Sequence, residues 1–344
     1  MSDVTIFAPS PTLTVTVEDH PQGAEIHVHA GGQGVWQARM LRRLGVTVTM
    51  CCVLTGEVGR VLRHLLEDDE GLTVVAVERD GRGSAYVHDR REGRRVAVAE
   101  EEGDALGRHV LDDLYGAVLR TGTDSRVVIL SGPAGDDALP ADIYRRLALD
   151  LRGDDRIVVA DLSGERLAAV LEGHADVIKV SHEELIADGL AADSSVEALA
   201  QAMRELRDRG ARTVIVTRAG ESLLLLDDEG LVEVSLPRLE EKEHRGAGDS
   251  LTAGVVAGLA RGDTAREAIT LGAAAGAVNV TRHGLGTGDP DAILRLREGV
   301  AVRELDDAGS RPAGRVSPDG LAALAEPADE VPTEKEPADE EETR

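Results

Sequence analysis

Residues 245–260 read Arg245-Gly246-Ala247-Gly248-Asp249-Ser250-Leu251-Thr252-Ala253-Gly254-Val255-Val256-Ala257-Gly258-Leu259-Ala260, a turn of small residues running into an apolar segment. Side chains this small let a backbone turn come close to a ligand and present its N–H groups. The following residues predict a helix over 249–260. Its first N–H groups lack partners and its dipole end is positive, so an anion is favoured there. A carboxylate at the same point competes with that anion, unless its task is to take a proton beside it. An anion hole next to a base is what phosphoryl transfer to a hydroxyl needs. No Gly-Lys-Ser/Thr follows the glycines, so this is not a Walker A loop. Taken alone, Gly-x-Gly-Asp also describes a turn whose Asp merely caps a helix.

Working outward, β-branched runs at 46–53, 73–77, 127–130, 157–160, 177–179, 213–217 and 223–226 predict strands. Amphipathic stretches at 34–44, 57–66, 108–119, 141–149, 195–209 and 265–281 predict helices. This alternation predicts an α/β fold with a mostly parallel sheet covered on both faces. Such sheets bind ligands beyond the carboxyl ends of their strands. Two stretches break the rhythm: 13–17 with 25–29, and 84–88 with 94–99, read as strand pairs with no helix after them. Together they would form a small second sheet, a lid or a dimer interface; separately they would be edge hairpins. A nicotinamide-binding Rossmann domain is excluded, because the first strand leads into Ala8-Pro9-Ser10-Pro11 rather than a glycine-rich turn.

Composition narrows the partners. A formal net charge of −26 repels a phosphate backbone, and aromatics make up only 1 %, so nucleic acid is not expected. The core must come from Val, Leu, Ile and Ala. Cys51 and Cys52 are adjacent in an apolar run, where strand neighbours point to opposite faces and do not pair. No basic-then-apolar leader and no bilayer-length apolar stretch is evident, so the reading is a cytoplasmic protein without membrane association. From about Asp307 the chain turns to Pro, Ala, Glu and Asp; residues 307–344 hold 11 acids and 4 bases and predict an acidic disordered tail.

Gly246-Ala247-Gly248-Asp249-Ser250 resembles the C-terminal signature of the PfkB-type (ribokinase-like) carbohydrate kinases. Further stretches match in the family's order: Gly31-Gly32-Gln33-Gly34 opening a helix, Ser131-Gly132-Pro133, Asp161-Leu162-Ser163-Gly164, Lys179-Val180-Ser181-His182-Glu183-Glu184-Leu185 and Gly284-Leu285-Gly286-Thr287. The resemblance runs over about residues 4–306 and is nearest the 1-phosphofructokinase and tagatose-6-phosphate kinase branch. It implies a three-layer α/β/α kinase domain over 1–306, with lid strands near 12–30 and 84–100. It also implies ATP and Mg²⁺ as cofactors, a sugar or sugar phosphate as acceptor, and room for a homodimer through the lid. Residue by residue, it makes Asp249 the general base and Gly246, Ala247 and Gly248 the anion hole. Glu184 and Ser181 fall on the family's magnesium motif. Thr217, Gly220, Ser222, Asn279 and Gly286 lie where the family binds nucleotide, and Thr14, Gly31, Gly32, Gln33 and Trp36 where it binds the acceptor. Simpler roles compete: Glu184 as an acid favoured at a helix start, and Asn279 as a polar residue on a helix surface.

Several positions depart from the family's pattern. Thr14 stands where the family has a sugar-binding Asp, Gln33 in place of a Lys, Trp36 in place of an Asn, and Ser181 in place of an Asn. The nucleotide loop reads Arg218-Ala219-Gly220 instead of Leu-Gly-Ala. Threonine can make a hydrogen bond but cannot clamp two hydroxyls with a charged fork. The phosphoryl-transfer half is therefore kept while the acceptor half is rewritten. That fits an active kinase with a different acceptor, or a relative that binds ligand with little turnover. Arg90, Arg91, Arg94 and Arg95 on the second strand pair would either grip a substrate phosphate or decorate a solvated hairpin. In so acidic a chain, anionic substrates would need a local field set by backbone N–H groups, arginine and Mg²⁺.

Overall fold

The computed structural model describes residues 2–305, apart from 22, 93, 134, 136–137, 154–155, 237–245 and 281–287. The acidic tail, Arg245 and the stretch around Gly286 therefore lie outside the described residues. A ten-stranded sheet forms the centre, built from β1 (Val4–Phe7), β4 (Val48–Thr55), β5 (Thr73–Arg79), β8 (Val127–Ser131), β9 (Ile157–Asp161), β10 (Val177–Ser181), β11 (Thr213–Thr217), β12 (Leu223–Asp227), β13 (Gly230–Ser235) and β14 (Ala301–Glu304). Its order is β14-β13-β12-β11-β10-β9-β8-β1-β4-β5. From β11 to β5 every pairing is parallel, and the three pairings from β11 out to β14 are antiparallel.

The buried alternation of the strands assigns the two faces. Ile6, Met50, Ile129, Val159 and Ile215 point to one side, under α1 (Gln33–Arg43), α8 (Ala247–Arg261) and α9 (Ala265–Val280). Phe7, Cys51, Leu130, Val158 and Val214 point to the other, under α3 (Arg108–Gly122), α4 (Asp142–Leu151) and α7 (Val196–Asp208). Period-2 alternation with both faces apolar explains why these strands read as continuous Val/Ile/Leu runs. Cys51 and Cys52 are buried free thiols on opposite faces, as expected.

The small residues of α8 have a packing reason as well as a chemical one. A Cβ on Gly254 would fall 2.7 Å from the Gly272 backbone of α9, and one on Gly258 would fall 2.8 Å from the Ala268 methyl. The two helices approach backbone to backbone. Part of what distinguishes the sequence at 251–259 is thus a tight helix pair rather than a ligand.

The two strand pairs join into one four-stranded sheet, order β3-β2-β6-β7, from β2 (Thr12–His20), β3 (Gly23–Gly31), β6 (Ala85–Asp89) and β7 (Val96–Glu101). This is the lid. Its strands leave the main fold after β1 and after β5, and they return at the starts of α1 and α3. Between β1 and β4 the chain moves one way across the sheet; after β5 it crosses back to place β8 on the other side of β1. That reversal is the switch point at which open α/β sheets take ligands.

Sequence reading did not anticipate β13 and β14, nor α5 (Gly164–Glu172), α6 (His182–Ala187) and α10 (Pro290–Arg297). The predicted helix at 57–66 ends earlier as α2 (Gly56–His64), and Leu65–Asp69 continues as a π-turn.

Candidate active site

Ser131, Asp161, Ser181 and Thr217 end β8, β9, β10 and β11, four neighbouring parallel strands, so one sheet edge collects them. Two helices open against this edge without a side-chain cap: α1 after Gly32 and α8 after Gly246. Both glycines take positive φ, 105° and 74°, which lets the chain turn sharply and aim uncapped N–H groups at the same place. Asp249 is the third residue of α8, half-buried, with Gly246, Ala247 and Gly248 before it.

A buried polar network lies beneath. Lys179 Nζ donates to Asp161 Oδ1 at 3.0 Å. Gln37 Nε2 and Thr252 Oγ1 donate to Asp161 Oδ2 at 3.1 and 2.7 Å. Ser131 Oγ donates to Gln37 Oε1 at 2.5 Å, and the Ser131 carbonyl accepts from Tyr144 Oη at 3.0 Å. Every oxygen of the Asp161 carboxylate is thus used, which a buried charge requires. The ammonium of Lys179 lies against the start of α8, where a Cβ on Gly248 would fall 2.8 Å from Nζ. Any larger residue at 248 would crowd that cation.

Asp249 is held by the side chain of Gln33, whose Oε1 accepts from the Gly132 N–H at 2.6 Å. Burial, then the charges of Asp161 and Glu184, push the Asp249 carboxyl from an ordinary 3.8 up to about 7, against the pull of Lys179 and Gln33. A carboxyl near neutrality is suited to exchanging a proton with a hydroxyl. Lys179 goes the other way. Burial disfavours its charge, but Asp161, Asp249 and Glu184 outweigh burial and hold the ammonium above its ordinary value.

Other expected residues divide. Ser181 and Glu184 form a capping box at the start of α6: Ser181 Oγ accepts from the Glu184 N–H at 3.2 Å, and Glu184 Oε2 accepts from the Ser181 N–H at 2.8 Å. One Glu184 oxygen is therefore engaged in the cap, although its charge still reaches Asp249 and Lys179. The carbonyl of Thr217 faces His182 Nδ1 at 3.3 Å. Ser222 Oγ accepts from Arg218 and donates to Glu233 Oε1, so it braces the β12–β13 pair. Gly220 lies in the exposed turn between β11 and β12, where Ala219 takes φ 46°, a left-handed conformation that ordinarily favours glycine. Asn279 is 2 % exposed on α9, which corrects the surface position weighed for it.

The acceptor candidates gather on the lid side. A cavity of about 300 Å³ is lined by Thr12, Thr14, Gly32, Trp36, Tyr86 and Arg95, among others. Gln33, the residue after Gly32, does not line it and instead bonds Asp249. Gly31 closes over Thr14, with room for a Cβ only 2.5 Å from Thr14 Oγ1. Of the lid arginines, Arg90 faces Glu18 at 3.8 Å, Arg91 pairs with Asp89 at 2.5 Å and Arg94 faces Glu92 at 3.6 Å. Arg95 alone of the four lines the cavity, its guanidinium 4.7 Å from the centre of the Tyr86 ring.

Lys179, Asp161, Gln37 and Thr252 join the candidate site although the sequence assigned them no role, even with Asp161 and Lys179 opening two of the matched stretches. A signal existed for Lys179: it is one of three lysines in a chain that otherwise uses arginine, and it stands inside an apolar strand, Val177-Ile178-Lys179-Val180.

Known proteins match this arrangement over most of its length. The model of the pfkB family carbohydrate kinases matches residues 2–292. A 1-phosphofructokinase of Bacillus subtilis is 28 % identical over 281 residues, covering 80 % of this chain and 89 % of its own. The ATP-dependent 6-phosphofructokinase isozyme 2 of Escherichia coli is 27 % identical over 295 residues, covering 81 % and 92 %. Among solved structures, Escherichia coli phosphofructokinase-2 in complex with fructose-6-phosphate superposes with a TM-score of 0.75 at 23 % identity, covering 87 % of this chain and 99 % of its own. Arabidopsis thaliana ribokinase complexed with ribose and ATP gives 0.67 at 19 %, covering 87 % and 99 %. With the fold, the lid and the family model all in agreement, this chain belongs to the pfkB family of carbohydrate kinases.

Proposed function

We propose that this carbohydrate kinase moves the γ-phosphoryl group of ATP to a hydroxyl of a sugar or sugar phosphate, with Asp249 as general base. One observation carries the reading: a carboxyl raised to about 7 stands in the first turn of a glycine-capped helix, next to a lysine ammonium. Asp249 takes the proton of the acceptor hydroxyl. The free N–H groups at the start of α8 receive the migrating phosphoryl oxygens. Lys179, kept charged by Asp161, balances the negative charge that gathers between donor and acceptor. Gln33 holds the Asp249 carboxylate through a side-chain hydrogen bond.

ATP as donor is supported by the names of the Escherichia coli relative and of the ribokinase complex. Mg²⁺ suits the donor set, because hard carboxylate oxygens from Glu184 and Asp249 stand beside the phosphate position, and this ion commonly takes one or two carboxylates with phosphate and water. When bound, it would neutralise nucleotide phosphate charge; Glu184 is the residue to hold it through water. A cytoplasmic setting suits the two buried free thiols. Among the described residues, no helix is long and apolar enough to cross a membrane.

Acceptor-dependent ADP release, followed with a coupled assay over fructose, tagatose, ribose and their phosphates, tests the activity. Ligand binding without ADP release for any acceptor would instead favour a kinase-fold binding protein with little turnover. Self-association through the lid is part of the same proposal. Val15, Val17, Ile26, Val28, Val87 and Val96 register on the lid face opposite Thr14 and Tyr86, with Ile26 66 % and Val96 52 % exposed. Light scattering is expected to give twice the chain mass, and Ile26→Asp to return it to the monomer; a monomeric wild type rejects the lid dimer.

A further inference from the structure

Arg218-Ala219-Gly220-Glu221, the turn after β11, holds alanine and glycine in the opposite order to the family's Leu-Gly-Ala. The Glu221 N–H donates to the Arg218 carbonyl at 2.9 Å, so these four residues close a β-turn with Ala219 as its first central residue. Ala219 has φ 46°, and turns with positive φ at this place are built for glycine. The glycine of this chain comes one residue late, at 220. A further contact must therefore hold alanine in a conformation it rarely adopts unaided.

Arg218 supplies that contact. Its side chain is 7 % exposed. Nε donates to the Ser222 carbonyl at 2.7 Å and Nη2 to Ser222 Oγ at 2.5 Å, so the guanidinium ties the two ends of the turn together. Nη1 pairs with Glu221 at 3.0 Å, and Nη2 faces Glu233 of β13 at 3.6 Å. Ser222 Oγ donates in turn to Glu233 Oε1 at 2.5 Å. With its fork spent on these partners, Arg218 is a brace rather than a grip for phosphate. The tip that it braces, Ala219 to Glu221, is exposed.

The place of the turn in the sheet says what the brace serves. Ser131, Asp161, Ser181 and Thr217 end strands that run in the order β8, β9, β10, β11, while the lid strands leave from β1 and β5 towards the other edge. The Asp249 helix mouth lies between, beside Asp161 and Lys179. A phosphoryl group passes in line from donor to acceptor. With the acceptor on the lid side, the donor comes from the side of the braced turn.

Resting on the kinase reading above, we propose that Arg218 is a positioning residue for the donor nucleotide: its clamp on Ser222 does the work of a glycine at 219 and keeps the turn shaped to receive ATP. The turn is thus a compensated pair, in which 218 and 219 depart from the family's residues together.

The test uses the full chain and calorimetry with ATP and its non-hydrolysable β,γ-imido analogue, each with Mg²⁺. Arg218→Lys keeps a charge between Glu221 and Glu233 but loses the fork, which opens the clamp. It should bind the analogue about tenfold more weakly and raise KM for ATP by about the same factor, with KM for the acceptor little changed. Arg218→Lys/Ala219→Gly, which puts glycine at the strained place, should return to within about twofold of the wild type. A brace serving only the β12–β13 hairpin would lower the melting temperature and leave nucleotide binding alone. The proposal is overturned if Arg218→Lys binds the analogue like the wild type, if Ala219→Gly fails to restore binding, or if the wild type binds no ATP. Where Arg218→Lys fails to fold, Glu233→Gln withdraws the charge behind the clamp instead; it should weaken the analogue with the same rescue by Ala219→Gly, and unchanged binding overturns the proposal. ADP release separates the two readings. Weakened and rescued analogue binding without ADP release for any acceptor sinks the kinase reading alone, and ADP release with nucleotide binding indifferent to Arg218→Lys sinks this one alone.

Discussion

Asp249→Asn is expected to fold, to bind ligands and to lose on the order of 10²–10⁴-fold in kcat, the usual worth of a positioned general base. The same substitution should make the protein more stable at alkaline pH. Asp249 titrates near 7 in the folded chain instead of its ordinary 3.8, mainly because burial and then Asp161 oppose its charge. A folded pKa above the unfolded one means that the native state holds the extra proton between those two values. The stabilisation from that proton is complete below the unfolded pKa and is lost as pH rises through about 7. At pH 8 the wild type therefore carries a half-buried, electrostatically opposed carboxylate that unfolding would relieve, and the asparagine variant does not. Melting curves should place the variant above the wild type at pH 8 and bring the two together towards pH 4. The wild-type kcat/KM should rise with pH on its acid side with an apparent pKa near 7, and residual activity of the variant should lack that limb. Wild-type turnover in Asp249→Asn removes the assigned role outright. Equal melting temperatures at pH 8 would show instead that the carboxylate is not under electrostatic stress.

The central sheet was legible because its code is local. Runs such as Val127-Val128-Ile129-Leu130 between amphipathic helices can only be satisfied by burial on both faces, and that dictates a parallel layer. The lid was legible for the opposite reason, since two strand pairs without helices had to leave the main sheet. β14 escaped because Ala301-Val302-Arg303-Glu304 is short, mostly exposed and paired only with β13, far away in sequence. Asp249 was legible as a motif, but its neutral-range carboxyl was not, for that depends on Asp161 and Glu184, carried by other elements. Gln33 shows the limit most clearly. As a departure from the family's lysine it looked like a loss, whereas in the fold it ties Gly132 to Asp249. With no cation at that position, positive charge beside the start of α8 comes from Lys179, which opened a matched stretch but drew no role because its neighbours Asp161 and Gly248 lie far off in the sequence.

That dependence makes Lys179→Met the second large effect. Lys179 and Asp161 are an ion pair with side chains 10 % and 3 % exposed, and Asp161 also holds Gln37 and Thr252. Removing only the lysine strands a carboxylate that water cannot reach, a loss of about 3–5 kcal/mol for buried pairs. Removing both charges with Lys179→Met/Asp161→Asn leaves an amide that can still accept from Thr252 and ends the electrostatic conflict. The double variant should recover much of the lost stability in urea melts, so the cycle should show strong coupling between the two positions. Activity should not return, because the helix mouth would then receive phosphoryl charge without its cation. In the single variant, losing Lys179 should also push Asp249 further up and shift the acid limb of kcat/KM to higher pH. Additive stability changes would mean that the pair is not a unit. If Lys179→Met turned over like the wild type, the charge balance proposed for Lys179 would have to come from elsewhere, and Asp249 would act without the cation that the fold places beside it.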